Sequence, residues 1–201
     1  LSTILCSAEK GKITLTATNL ETAVEVWVGG KVEREGRVAI PARVLSSYIS
    51  LVGGEHVTCS VKSSNVEFSS SSGRTVIHGQ AADDFPLVPQ QKETERTTIP
   101  ASILATSLRN VVIAASLLDI KPEIASVYTQ LSHQHAVFAA TDSFRLAEQR
   151  VDGIFGEKGW SQSFLLPVRS VQDLLRLLEP EDGDVAVLFG AGQVVFQTKR
   201  F

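Results

Sequence analysis

Ala139-Ala140-Thr141-Asp142-Ser143-Phe144-Arg145-Leu146-Ala147 is the stretch that shows how this chain is organised. The apolar residues 137–140 predict the end of a strand. Thr-Asp-Ser then predicts a turn, because these residue types hydrogen-bond to their own backbone. We expect the aromatic residue, the arginine and the leucine that follow to lie in an exposed segment. A second copy of the pattern occurs at residues 15–23, where a predicted strand again ends in Ala-Thr-Asn.

The two copies belong to a longer internal repeat. Residues 4, 17–19, 40–43 and 65–68 match residues 127, 140–142, 166–169 and 193–196 in the same order, and the offset drifts only from 123 to 128 positions. A matched series of this kind predicts a tandem duplication of a domain of about 120 residues. We place the two domains at residues 1–92 and 93–201, with the boundary in the proline-containing, polar segment 81–92.

The ends of the chain do not coincide with the ends of the two repeated units. A predicted helix at residues 100–117 precedes the first matched strand of the second copy, whereas the first copy begins directly with that strand. The first copy in turn continues beyond the last matched strand of the second. We therefore expect a first domain without its N-terminal strand and helix, a second domain without its C-terminal strands, and a fragment of a longer protein.

Composition indicates a packed globular protein, since 43% of the residues are hydrophobic and only 20% are charged. The net charge of -3 argues against tight, charge-driven nucleic-acid binding but leaves room for one basic face. The apolar runs are too short for a membrane span, so we expect a cytoplasmic protein without a membrane role. Cys6 and Cys59 fit no metal-ligand spacing and are predicted to be buried thiols.

Period-two and period-3.6 patterns predict the main elements. A hairpin is expected at residues 9–11, and short helices are expected after Pro41 and Pro100, because proline is tolerated in the first turn of a helix. The first of these helices should bury Leu45, Ile49 and Val52. Residues 164–169 are expected to begin a third helix, and strands are expected at 185–189 and 194–197.

Several motifs, taken together, resemble the DNA polymerase III beta subunit family of bacterial sliding clamps. They are Ala-Thr-Asn-Leu-Glu at 17–21, Ile-Pro-Ala-Arg at 40–43, Asp-Asp-Phe-Pro at 83–86 and Ala-Thr-Asp-Ser-Phe-Arg-Leu-Ala at 140–147. The resemblance implies an α+β fold of tandem DNA clamp domains, with antiparallel sheets outside and helices lining the inner face. In that family each subunit has three such domains, and two subunits close head-to-tail into a ring around duplex DNA. The third domain would be absent here.

The resemblance implies a DNA sliding clamp that tethers the replicative polymerase without being an enzyme. Its partners would be double-stranded DNA without sequence preference, the polymerase III catalytic subunit, the clamp loader, other proteins with clamp-binding motifs, and a second copy in the complete ring. No cofactor or metal is expected. Basic side chains should face the phosphates without reading bases. The candidate residues are Arg43, Arg169, Arg74, Arg109 and Arg176.

The resemblance also implies a pocket for partner peptides that carry leucine and phenylalanine. The wall carried over to this chain comprises Ile124, Thr141, Ser143, Phe144, Arg145 and Leu146. Two pairs of positions depart from the family pattern. Ser143 and Phe144 stand where Gly-His is commoner, and Pro122 and Glu123 stand where aromatic residues occur in the best-known members.

Two other classes of function remain open from the sequence. The chain would be a β-rich peptide-binding adaptor with no DNA role if Arg43, Arg109 and Arg169 were scattered rather than on one concave face. An enzyme would need convergent titratable groups, for which the candidates are Asp83 with Asp84, His133 with His135, and Asp142 with Ser143. No phosphate loop, dinucleotide-binding glycine pattern or nucleophile elbow occurs in the sequence.

Overall fold

The computed structural model of the chain describes residues 2–9, 11–52, 56–88, 95–118, 121–153, 155–190 and 192–201. The chain divides into two compact units, residues 1–90 with 200–201 and residues 91–199. The boundary predicted between residues 92 and 93 lies outside the described residues. No helix in the described ranges is both long and apolar enough to cross a membrane.

The first unit contains two antiparallel sheets and one helix. Its first sheet has the order β3-β2-β1-β4, and its second has the order β5-β6-β7. The element bounds are β1 Thr3–Glu9, β2 Lys12–Thr18, β3 Ala23–Val28, β4 Gly36–Pro41, α1 Ala42–Leu51, β5 Thr58–Lys62, β6 Asn65–Ser70 and β7 Gly73–His78, followed by a 3₁₀ turn at Ala82–Asp84.

The second unit repeats this arrangement after an additional strand and helix. Its sheets have the orders β11-β10-β9-β12 and β14-β13-β8. The bounds are β8 Glu95–Pro100, α2 Ala101–Val112, β9 Ser126–Ser132, β10 His135–Thr141, β11 Leu146–Asp152, β12 Ser161–Pro167, α3 Val168–Leu178, β13 Asp184–Gly190 and β14 Gln193–Gln197. The four-stranded sheets therefore have the same strand order in both units, and α3 takes the place of α1.

Each of the three helices in the described ranges follows directly on a strand that ends in proline. Pro41, Pro100 and Pro167 are N-cap residues with φ near -55° and extended ψ of 116°, 133° and 140°. The prolines thus precede the first helical turn instead of lying in it as predicted. Proline suits this junction because its φ is compatible with both states and a helix N-terminus has no acceptor for its missing N–H.

The hydrophobic core of the first unit lies between its two sheets and α1. Val38 and Ile40 from β4 pack with Val66 and Phe68 from β6 and with Leu45 from α1. On α1, Tyr48 joins this core and contacts the Phe68 ring, whereas Ile49 is 50% exposed. The predicted buried stripe is therefore wrong at Ile49, because the helix turns Leu45 and Tyr48 towards the sheets.

The second unit has its core beneath the four-stranded sheet. Leu108 and Val111 of α2 and Val171 of α3 are almost completely buried, as is Phe138 on β10. Helix α2 packs against α3 and against β9, β10 and β11. This packing buries one face of β10, whereas the residues on its other face, which leads into the 141–145 turn, are only half-buried.

The prediction of two buried thiols is correct for neither cysteine. Cys6 is half-buried against the core of the first unit, and Cys59 is exposed on the edge strand β5. The register places Cys59 opposite Phe68. Partial burial of the thiol raises the pKa of Cys59 to about 11, and the electrostatic interaction with Cys6 raises it as well.

Two elements near the candidate site differ from the sequence expectation. The segment after the 141–145 turn forms β11, which pairs with β10 from Thr141↔Leu146 to His135↔Asp152. Residues 164–167 complete strand β12 rather than beginning a helix, and α3 starts at Val168. Strand β12 pairs along the whole of β9, so sheet hydrogen bonding keeps residues 164–167 in the strand and the helix begins only after Pro167.

Candidate partner and DNA surfaces

The turn between β10 and β11 is held by two side chains. Thr141 Oγ1 accepts a hydrogen bond from the Ser143 N–H at 3.1 Å and donates to the Arg145 carbonyl at 2.7 Å. Asp142 Oδ1 accepts hydrogen bonds from the N–H groups of Phe144 and Arg145, both at 3.0 Å. Thr141 and Asp142 thus satisfy the backbone of the turn without help from the residues that follow.

The first unit contains the same turn at the matched positions. Thr18 Oγ1 accepts from the Leu20 N–H at 3.0 Å and donates to the Thr22 carbonyl at 2.9 Å. Asn19 Oδ1 accepts from the N–H groups of Glu21 and Thr22 at 2.9 and 2.7 Å. The internal repeat therefore extends to individual hydrogen bonds, and an aspartate and an asparagine perform the same task.

Both turns require a left-handed residue after the Asx position. Ser143 and Leu20 each have φ of 77°, a region that non-glycine residues rarely adopt. The strain of a side chain there costs on the order of 1–2 kcal/mol. The two residues before the strained one, Thr141 and Asp142 in one turn and Thr18 and Asn19 in the other, contribute the hydrogen bonds that hold it in place.

We expect Ser143→Gly and Leu20→Gly each to raise the free energy of unfolding by about 0.5–1 kcal/mol. Relief of the left-handed strain exceeds the extra entropy that glycine loses on folding. Phe144→Gly is the matched control, since Phe144 lies in the same turn without positive φ, and we expect it to be destabilising. Urea denaturation of the three variants measures the effect, and a loss of stability in Ser143→Gly would contradict the strain argument.

Asp142 is an acceptor for three donors. Besides the two backbone N–H groups, it accepts a hydrogen bond from Arg145 Nε to Oδ2 at 2.9 Å. The backbone N–H groups of Arg145 and Phe144, followed by the Arg145 side chain, hold the pKa of Asp142 below its usual range. The carboxylate form of Asp142 is therefore the form that fits the turn.

Acid should weaken this turn through Asp142. Because its pKa is lowered in the folded state, its stabilising contribution is present above the unfolded value of about 3.9 and is lost as the pH falls through the folded value. Asp142→Asn should keep the turn, as Asn19 does in the first unit, and should lose this part of the acid dependence. Chemical denaturation at about pH 5 and about pH 3 compares the two proteins. The idea fails if both lose stability equally.

A small cavity lies beside the turn on the open face of the second unit's four-stranded sheet. Its volume is about 100 Å³. It is lined by Glu123, Ser126, Tyr128, Ala139, Ala140, Thr141 and Leu146. The register explains the grouping, because Tyr128 pairs with Ala139 and Thr141 pairs with Leu146, and directly paired residues share a face.

Two of the six residues predicted for the peptide pocket line this cavity, namely Thr141 and Leu146. Phe144 is 98% exposed and Ser143 and Arg145 form the turn beside it. Ile124 is half-buried, with its carbonyl accepting a hydrogen bond from the Ser116 N–H at 2.9 Å. The sequence prediction did not include the other five lining residues. Ala139 and Ala140 directly precede the turn in β10, whereas Glu123, Ser126 and Tyr128 reach it only through the fold.

The five candidate DNA-binding arginines fall into two groups. Arg74 is paired with Glu67, and Arg176 is paired with Asp173 at 3.0 Å. Arg43 on α1 lies in the first unit, and Arg109 on α2 and Arg169 on α3 lie in the second. Within the described ranges these last three are exposed and have no carboxylate partner.

Arg43 and Arg169 occupy the second position of their helices, where a cation is unfavourable. The N-terminus of a helix carries a partial positive charge, and acidic residues are the ones that stabilise it. Neither α1 nor α3 has an acidic residue in its first turn or a side-chain cap. Each arginine therefore adds to an existing positive potential, which favours binding of an anion such as a phosphate.

The groups considered for an enzyme are separated or engaged elsewhere. The His133 ring Nδ1 lies 2.7 Å from the Gly156 carbonyl. Asp83 and Asp84 are exposed in the 3₁₀ turn of the first unit, and Asp142 serves the turn described above. In the described part of the chain, no three His, Cys, Asp or Glu residues are close enough to hold a metal ion.

Family models match both units of the chain. The model of the DNA polymerase III beta subunit, N-terminal domain, matches residues 1–89, and the model of its central domain matches residues 98–201. The chain belongs to this family. The family prediction made from the sequence motifs is thus confirmed.

Individual relatives agree with the family assignment. A beta sliding clamp from Synechococcus elongatus is 29% identical over 98% of this chain and 54% of the relative. Solved DNA polymerase III beta subunits from Pseudomonas aeruginosa and Thermotoga maritima superpose with TM-scores of 0.91 and 0.90 at 22% and 23% identity. These structures cover 100% and 99% of the chain, which confirms the predicted sliding-clamp fold. The chain spans about half the length of the curated relatives it matches.

Proposed function

We propose that this beta subunit family chain acts in a DNA sliding clamp, a non-catalytic processivity factor of the cytoplasm that encircles duplex DNA. The observation that carries the proposal is the family match over both units. In this role the clamp tethers the polymerase III catalytic subunit to DNA. The clamp loader and other partners bind to the clamp in place of the polymerase. A head-to-tail ring of two subunits, with helices towards the DNA and sheets outside, is the form in which it acts.

The exposed arginines support the DNA part of the proposal. A clamp has to remain on DNA while it moves, so its contacts must be few and independent of sequence. Arg43, Arg109 and Arg169 are long, exposed cations on helices and none is tied to a carboxylate within the described residues. These three arginines are the proposed first contacts with the duplex. Arg74 and Arg176 contribute only after release from their acidic partners.

The cavity beside the 141–145 turn supports the partner part of the proposal. It offers a small apolar depression between Leu146 and Tyr128, next to the fully exposed Phe144 ring. Apolar anchors of a short peptide are recognised by depressions of this kind, with affinity concentrated in one or two buried side chains. Thr141, Leu146 and Phe144 are the proposed contacts, with Ile124, Ser143 and Arg145 shaping the surrounding surface.

Retention on DNA of different topology tests the proposed function. A full-length subunit that contains this chain is loaded onto a nicked circular plasmid by a clamp loader and separated from free protein by gel filtration. We expect it to stay with the circle and to be lost when the same plasmid is cut once, because an encircling protein slides off an end. Equal retention on both forms would indicate ordinary binding, and absence from both would favour a peptide-binding adaptor with no DNA role.

A further inference from the structure

The cavity beside the turn has an acidic rim. Glu123 is one of the residues that line it. Glu148 lies opposite Ala139 in the β10–β11 pairing and two residues after Leu146, so it is on the same face of the sheet as both. Both glutamates are exposed, and within the described residues neither has an ion-pair partner.

The arginines closest in sequence do not neutralise this rim. Arg145 is bound to Asp142 at 2.9 Å, and Arg150 is bound to Asp152 at 3.0 Å. Each of these cations already has its own carboxylate. Lys121, two residues before Glu123, is the nearest other cation in sequence, and among the described residues it forms no ion pair with either glutamate. A ligand that enters the cavity therefore meets a negative potential at its edge.

The size and lining of the cavity define the group that it can hold. Its volume of about 100 Å³ is smaller than the roughly 150 Å³ that accommodates a benzene ring. Leu146, Ala139 and the Tyr128 ring supply apolar surface. A branched aliphatic side chain fits such a space better than an aromatic ring does.

We propose that Glu123 and Glu148 make this site selective for peptides in which an aliphatic anchor is flanked by lysine or arginine. The inference rests on the proposed function in one respect, namely that the cavity receives a partner peptide. Charge complementarity is the argument for the flanking cations, since unpaired carboxylates at a rim attract positive charge and repel negative charge.

Peptide titration followed by amide NMR tests the selectivity and detects weak binding. Three short peptides of equal length carry one leucine flanked on both sides by lysine, by glutamine or by glutamate. We expect shifts at Thr141, Leu146 and Tyr128 with all three. The lysine peptide should bind about two- to five-fold more tightly than the glutamine peptide, which is the range for exposed ion pairs. The glutamate peptide should bind more weakly, and the differences should shrink as salt is added.

Charge-neutral variants distinguish the effect of the two rim glutamates on peptide binding from the effect of other surface charges. Glu123→Gln together with Glu148→Gln should remove the preference for lysine while leaving binding of the glutamine peptide unchanged. Glu157→Gln is the matched control, because it removes an exposed carboxylate in the same unit that does not line the cavity. We expect this control to keep the full preference.

The outcomes distinguish the inference from the function on which it rests. Equal binding of the three peptides, or a preference that survives in the double variant, would overturn the selectivity and leave the docking site in place. Absence of binding by every peptide would overturn both. Shifts at the cavity residues on simple dilution, without peptide, would identify a second copy of the chain as the occupant and would also overturn the inference.

Discussion

Phe138→Ala is expected to lower the free energy of unfolding of the second unit by about 4 kcal/mol. Removal of a fully buried phenylalanine typically costs about 3–5 kcal/mol, because the transfer free energy is lost and a cavity remains. Phe138 is 0% exposed on β10, where it pairs with Thr129 on one side and Gln149 on the other. It therefore supports the strand that presents Thr141 to the cavity.

The measurement has to report on the second unit alone. A Trp27→Phe background leaves Trp160, which packs edge-on against Phe189 in the second unit, as the fluorescent probe of urea denaturation. Val137→Ala is the matched control, since Val137 precedes Phe138, faces the opposite side of the sheet and is only half-buried. We expect it to cost no more than about 1 kcal/mol. Similar losses in both variants would contradict the assignment of the two faces.

Replacing Arg43, Arg109 and Arg169 together by alanine is expected to weaken duplex binding about 100-fold at low salt. Each phosphate contact contributes about 0.9 to the slope of log K against log salt, so three lost contacts should reduce the slope by about 2.7. Anisotropy of a fluorescent duplex, followed between about 10 and 100 mM salt, gives both quantities. The reduction should be the same for duplexes of different sequence, because phosphate contacts carry no base information.

Arg74→Ala with Arg176→Ala is the charge-matched comparison for that experiment. These two arginines are engaged by Glu67 and Asp173, so their removal should change the slope by much less than the loss of three unpaired arginines. A reduction per arginine equal to that of the triple variant would mean that the ion pairs open on DNA. An unchanged slope in the triple variant would contradict the proposed DNA surface.

Much of the fold was predictable because the chain contains the same pattern of strands and turns twice. Ala-Thr-Asn at 17–19 and Ala-Thr-Asp at 140–142 mark equivalent turns, and the residue types alone indicate how the side chains hold the backbone. The final strands at 185–189 and 194–197 also agree with β13 and β14. Local patterns were sufficient wherever hydrogen bonds are short-range or where apolar residues alternate clearly.

The remainder depends on pairing between strands that are distant in sequence. Residues 146–152 have no continuous apolar alternation, and only their ladder with β10 makes them a strand. Leu165 and Leu166 were predicted to begin a helix, and their pairing with β9 places them in a strand instead. The exposure of Cys59 likewise follows from the position of β5 at a sheet edge, which no local pattern encodes.

The hydrogen bonds of the 141–145 turn come from Thr141 and Asp142 and meet only backbone atoms of the next three residues, apart from the Arg145 side chain. The side chains of residues 144 and 146 are therefore not needed for the shape of the loop, and residue 143 is restricted only by its left-handed φ of 77°, which Leu20 also adopts in the first unit. Mutations at these places can alter what the surface recognises while the backbone stays the same. Single substitutions at these positions can therefore change which partners the surface binds during evolution, while every intermediate sequence still folds.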